Sequence, residues 1–231
     1  MHQFQAPPLT KTSKILIGIT VGLFLINSIL KTQGIALDGI LGLSSLGMSK
    51  GLIFQIFTYP FIGRGLLEVV FNSLLLWFIG SEMESLWGIK RYLKFLATSV
   101  IGAGIIFLTI GFIFFSNSMM GSIPLTGLAG AMSALLLAYA IIFPDRTFSF
   151  MLIFPMKAKY FCMILIAMQL YMGFFSPAAI LAWGHLGAML SGFLFMLFVA
   201  KGGKKSEKRK VSSAKLKLVK NEEDDKPKYW H

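Results

Sequence analysis

His185 stands inside an unbroken apolar run, Ala178-Ala-Ile-Leu-Ala-Trp-Gly-His-Leu-Gly-Ala-Met-Leu-Ser-Gly-Phe-Leu-Phe-Met-Leu-Phe-Val-Ala200, and is one of only three histidines in 231 residues. An ionisable side chain is costly in lipid, so one found there marks a site facing the protein interior or a wet cavity. An imidazole placed within hydrogen-bond reach of a hydroxyl can activate it as a nucleophile. A second apolar run opens with Gly127-Leu-Ala-Gly-Ala131. Where a partner for the histidine would be sought, that turn offers Ala129. Glu68 and Asn72 are two further polar residues in apolar surroundings, and their four-residue spacing places them on one face of a helix. His185, Glu68 and Asn72 lack a second imidazole or thiolate, so neither a metal site nor a cofactor is expected.

The elements that must position these residues are membrane spans. The chain is 55% hydrophobic and 14% charged, with a mean hydropathy of +0.72, which excludes an ordinary soluble domain. Six apolar runs are long enough to span, at 14–31, 65–81, 92–116, 126–143, 158–175 and 178–200. The expected class is an all-α polytopic membrane protein. Its parts are an N-terminal segment 1–13, a six-span domain 14–200 and a basic tail 201–231. The connection 32–64, rich in glycine with apolar residues between, suits amphipathic half-turns lying in the membrane interface. The single cysteine, Cys162, excludes an intramolecular disulfide and reads as a small lipid-facing or buried residue near the cytoplasmic end of helix 5.

The net charge of +12 is unevenly spread, with half of the 22 Lys and Arg residues after position 200. Lys11 and Lys14 precede helix 1, Lys90, Arg91 and Lys94 fall between helices 2 and 3, and Arg146, Lys157 and Lys159 fall between helices 4 and 5. By the positive-inside rule both termini are cytoplasmic. The tail, with Lys204-Lys205-Ser-Glu-Lys208-Arg209-Lys210, then suits anionic lipid headgroups. Topology already explains these charges, so no nucleic-acid partner is expected. Helices 2, 4 and 6 all begin on the outer side. Asn72, roughly 10 Å into helix 2, His185 and the Gly127–Ala131 turn then lie at similar depth. The uncharged stretch 116–124 before helix 4 is free to dip into the membrane, which is tolerated only where backbone is buried or lines a wet cavity. Small residues repeat every four positions on helix 4 (Gly130, Ala134, Ala138) and helix 6 (Gly184, Ala188, Gly192), a pattern that lets membrane helices approach closely.

At these residues the chain resembles the rhomboid family of intramembrane serine proteases, over about residues 50–200. The resemblance is carried by Phe57-Thr-Tyr-Pro-Phe61, by Phe71-Asn72 with Trp77, and by Gly80-Ser-Glu-Met-Glu84 followed by Trp87-Gly88 and Arg91-Tyr92-Leu93. It continues through Gly127-Leu-Ala-Gly-Ala131, Tyr139, Phe143-Pro-Asp-Arg146, Phe154-Pro-Met-Lys157-Ala-Lys-Tyr160 and His185-Leu-Gly187. The resemblance implies a six-helix fold and a dyad in which a serine of Gly-x-Ser-Gly is the nucleophile and His185 its base. It also implies an oxyanion role for Asn72, packing roles for Gly127, Gly130 and Gly187, and a lateral route between helices 2 and 5 for a substrate helix.

Three departures cluster at this one site. Ala129 occupies the serine position, and a methyl has neither a proton to lose nor a lone pair to attack with. Glu68 occupies a position where many active members carry a histidine, and an ionised carboxylate there would repel a developing oxyanion. Ala188 replaces a glycine of the helix-6 motif, and its methyl is expected to push helices 4 and 6 apart. Together they point to a natural inactive relative, with an engineered serine-to-alanine change at 129 as the alternative. The leading reading is a pseudoprotease of a bacterial inner membrane that binds transmembrane segments without cleaving them. Inactive rhomboids and derlins are the analogy. A second reading is a working protease using Ser133 as substitute nucleophile, although that hydroxyl is more simply satisfied by an upstream helix carbonyl. Ser191 shares a helix with His185 and faces elsewhere. A third is a proton path through Glu68, Asn72 and His185.

Overall fold

A computed structural model describes residues 8–114, 123–150 and 154–213. The chain divides into two compact units, Met1–Met196 and Leu197–His231. Ten α-helices occur among the described residues. They are α1 (Lys11–Thr32), α2 (Leu37–Leu41), α3 (Ser45–Ser49), α4 (Gln55–Thr58), α5 (Leu66–Leu75), α6 (Ser81–Trp87), α7 (Ile89–Phe114), α8 (Ala129–Ile142), α9 (Ala158–Phe175) and α10 (Ala179–Ser213). A wider turn at Leu76–Gly80 joins α5 to α6, so that Leu66–Trp87 is one span of 22 residues. Five helices are long and apolar enough to cross a membrane: α1, the α5–α6 span, α7, α9 and α10 over Ala179–Val199.

The chain is an all-α polytopic membrane protein, and the run expected as helix 4 forms a shorter helix than the five long spans. The apolar run 126–143 forms a helix of only 14 residues, about 21 Å long against a hydrocarbon core of about 30 Å. Its start is set by Gly127, whose φ of 81° is a left-handed conformation, and the chain leaves helical geometry at Phe143, before Pro144. This helix is walled by protein. Ten of its residues are buried, among them Met132, Leu135 and Tyr139, and it packs on α5, α7 and α9. Apolarity here reflects a place inside the protein, so the bilayer does not dictate the length.

Other boundaries differ as well. The second span runs to Trp87 and stops where Gly88, at φ 76°, donates its N–H to the Glu84 carbonyl at 2.8 Å, a left-handed glycine terminator. Helix α7 therefore starts at Ile89, and Lys90, Arg91 and Lys94 lie in its first turns rather than in a loop. Helix α9 occupies the expected 158–175. Helix α10 continues past residue 200 to Ser213. Between α8 and α9 the structure adds an antiparallel hairpin, β1 (Thr147–Phe150) with β2 (Phe154–Lys157), pairing Thr147 with Lys157. Residues 116–122 of the stretch expected to dip before helix 4 lie outside the described residues.

Burial follows lipid logic. Large apolar side chains such as Leu67, Ile113 and Phe175 are exposed, Leu67 at 73%, while α1 turns Ser13, Thr20 and Asn27 inward. The connection 32–64 is an ordered cap organised by Gln55, which is fully buried. Its Oε1 accepts from the Ser44 N–H at 3.2 Å and its Nε2 donates to the Ile40 carbonyl at 3.0 Å. The cap is fastened to the core by the Tyr59 hydroxyl, which donates to the Val100 carbonyl at 2.7 Å. Cys162 is buried and free.

Candidate functional site

Helix α8 begins where the loop before it is clamped to the cap. Leu43 and Leu125 exchange backbone hydrogen bonds, and the Gly127 N–H donates to the Tyr59 carbonyl at 2.8 Å. The left-handed turn at Gly127 then releases the chain into α8, with Ala129 as its first residue. A Cβ at Gly127 would overlap Glu68 Oε1. Glycine is favoured here by the sign of φ, and a Cβ would also oblige the Glu68 carboxylate to move.

Glu68 sits in the first turn of α5, and Asn72 is buried one turn on. The Arg64 backbone N–H donates to Glu68 Oε2 at 3.2 Å, and Oε1 is buried without a hydrogen-bond partner. The Arg64 guanidinium donates to the Pro124 carbonyl. Desolvation pulls that guanidinium below its usual range, while the charges of Glu68 and then Asp38 oppose the shift. The start of α5 thus grips the turn before α8 from two sides. In the sequence Arg64 is one of only two basic residues in the connection 32–64, and its spacing of four from Glu68 is the signal that could have marked it.

His185 approaches from α10. A Cβ built on Gly130 would lie 3.4 Å from His185 Cδ2 and 3.3 Å from Ala188 Cβ. The bare α-carbon of Gly130 thus makes the room in which the imidazole and the Ala188 methyl sit. Ala188 is completely buried there, against Gly130 of α8. Gly184 faces Leu125 and Phe107, and Gly192 faces Ser99, Ala134 and Phe95, so the small-residue stripe follows the seam between α10 and the α7–α8 pair. Gly187 belongs to a different contact. A Cβ on it would meet Ile106 of α7 at 2.6 Å.

The other groups fall as follows. The Ser133 hydroxyl donates to the Ala129 carbonyl at 2.9 Å, one turn back along its own helix. The Ser191 hydroxyl donates to the Ala188 carbonyl at 3.0 Å. His185 is met by a residue that sequence reasoning missed. Gln169 of α9 places its amide nitrogen 3.1 Å from His185 Nδ1. A lone amide in an apolar span was the available signal. Gln169 and His185 are each eight residues from Pro177, so the α9–α10 hairpin brings them to equal depth. Trp183 closes the hairpin by donating from Nε1 to the Gly173 carbonyl at 3.1 Å. Among the described residues no group of three or more His, Cys, Asp or Glu could hold a metal ion.

Chemically, the start of α8 offers a carboxylate lying against Gly127 and an imidazole packed against Gly130. A rhomboid domain family model matches residues 50–202. No curated protein matches the chain significantly.

Proposed function

Because the chain belongs to the rhomboid family, we propose that it is a pseudoprotease of that family, a multi-pass membrane protein that holds transmembrane segments of other proteins without cutting them. One observation carries the reading. Ala129 begins α8 at the position where the resemblance puts the nucleophile, one residue before the Gly130 that packs against His185. The nearest hydroxyl on that helix, Ser133, is engaged by the Ala129 carbonyl. Glu68 adds a carboxylate at the position where the family draws an oxyanion donor, and negative charge there disfavours a developing oxyanion. The loss of the hydroxyl is taken as natural because Glu68 and Ala188 depart from the family pattern beside it. The protein's place is a bacterial inner membrane with both termini cytoplasmic, and its basic tail meets anionic headgroups.

The test is incubation of the protein in nanodiscs with a fluorophosphonate probe and a single-span peptide. No labelling and intact peptide are expected, with the peptide captured by photo-crosslinking. Labelling that disappears in Ser133→Ala would establish the protease reading instead. Ala129→Ser with Glu68 unchanged is expected to stay near background, and robust cleavage by that variant contradicts the role given to Glu68.

A further inference from the structure

We propose that Gln169 sets the protonation form of His185, holding the neutral imidazole with its hydrogen on Nε2 and so making it a hydrogen-bond donor for a backbone carbonyl of the bound segment. The ligand half of this inference rests on the pseudoprotease reading above; the tautomer half rests on the orientation of the Gln169 amide. The atom of Gln169 facing His185 is the amide nitrogen Nε2, 3.1 Å from Nδ1. In this orientation the amide nitrogen donates, and Nδ1 presents its lone pair. In a neutral ring the hydrogen then resides on Nε2, because the bond made by one ring nitrogen decides which of the two is protonated.

A general base at Nε2 requires the opposite arrangement, with Nδ1–H held by an acceptor. A histidine in the wrong tautomer loses orders of magnitude in rate even with the rest of a catalytic site intact. Nε2 is bonded to Cδ2, the ring atom packed toward Gly130. It therefore lies on the α8 edge of the ring, and among the described residues it has no hydrogen-bond partner. His185 is only partly buried, and an N–H there donates to an acceptor that reaches it. A helix bound at the family's substrate route, if locally unwound, supplies carbonyls of that kind. The residue at the base position has thereby become a contact residue, and Gln169 is the positioning residue that makes it one.

Imidazole-labelled protein in nanodiscs tests the tautomer by nitrogen NMR at neutral pH, with His185→Phe identifying the signals to be read. In wild type Nδ1 is expected to be unprotonated and Nε2 protonated. Gln169→Leu should yield a mixture, and Gln169→Glu should move the hydrogen to Nδ1, where a carboxylate can accept it. Hydrogen on Nδ1 in the wild type, or identical populations in wild type and Gln169→Leu, overturns the assignment. The ligand half is read by photo-crosslinking of a single-span peptide. Gln169→Glu should lower capture about tenfold, the scale of one hydrogen bond, and unchanged capture overturns the donor role. If the wild type captures no peptide, the pseudoprotease reading fails and the carbonyl ligand with it, while the NMR result still decides what Gln169 does.

Discussion

At the residue scale, the site is governed by which positions lack atoms. Gly127 lacks a Cβ where Glu68 presses on the chain, and Gly130 lacks one where His185 and Ala188 enter. Gly127→Ala places an L-residue at φ 81°, a cost of about 1–2 kcal/mol, and adds the overlap with Glu68. Denaturant titration in detergent should show a loss of about 2 kcal/mol or more. The double variant Gly127→Ala/Glu68→Ala should recover only the overlap, leaving the backbone cost. Ser133→Ala removes one side-chain bond to a helix carbonyl. It should change stability by less than about 1 kcal/mol and leave probe reactivity untouched. Ala129 needed no structure to be interpreted chemically, since a methyl cannot act as a nucleophile in any fold. The role of Gln169 did need one. Nothing in Met168-Gln-Leu-Tyr171 says which way the amide turns.

At the element scale, helix association in lipid gains nothing from excluding water, so close packing at small residues carries it. The α7–α10 seam makes this concrete. Gly187 faces Ile106, and Gly102 faces the Ser191 side chain so closely that a Cβ there would overlap it. Gly187→Ala should therefore cost about 1–3 kcal/mol by overpacking. A double-mutant cycle with Ile106→Val should return a favourable coupling of at least about 0.5 kcal/mol. Gly18→Ala on α1 is the contrast. A Cβ there meets nothing within 4 Å, and this substitution should be neutral or stabilising by up to about 1 kcal/mol. Both comparisons are read by thermal unfolding in one detergent. Sequence periodicity marks all of these as small residues in membrane helices. It does not distinguish Gly187, Gly130 and Gly18, because rotation about the helix axis decides what each one meets. Helix α9 matched its apolar run because lipid bounds it. Helix α8 fell short of its run because protein surrounds it and Gly127 sets its start.

At the scale of the whole molecule, two polar clusters hold the connections in place. The cap clamps the turn before α8 through Tyr59 and Arg64, and Glu68 of α5 lies against Gly127. On the far side Arg146 pairs with Glu82 and lies 4.7 Å over the Phe143 ring. Beside it Asp145 receives Lys159 at 2.8 Å and Lys157 at 3.3 Å, tying the β1–β2 hairpin to the end of α8. The lysines, Lys159 first, hold the Asp145 carboxyl below its ordinary value. A depressed carboxylate stabilises the folded form above its unfolded pKa, and that contribution fades as pH falls through the lower folded value. The pairs are exposed and screened, so the effect should be small, and high salt should reduce it further. Protease nicking between α8 and α9 should increase slightly below the ordinary aspartate range, and Asp145→Asn should show the raised rate at neutral pH and no acid dependence of that step. From sequence alone came the membrane class, most of the spans and the family resemblance. All follow from local composition and from covalent chemistry, which no packing alters. Tertiary structure decided that α8 is only 14 residues long and that Glu68 abuts the Gly127 turn. It also decided that Gly130 makes room for Ala188 and that Gln169 faces the lone pair of His185. Each depends on the depth and rotation of one helix against another, set by contacts between residues far apart in the chain.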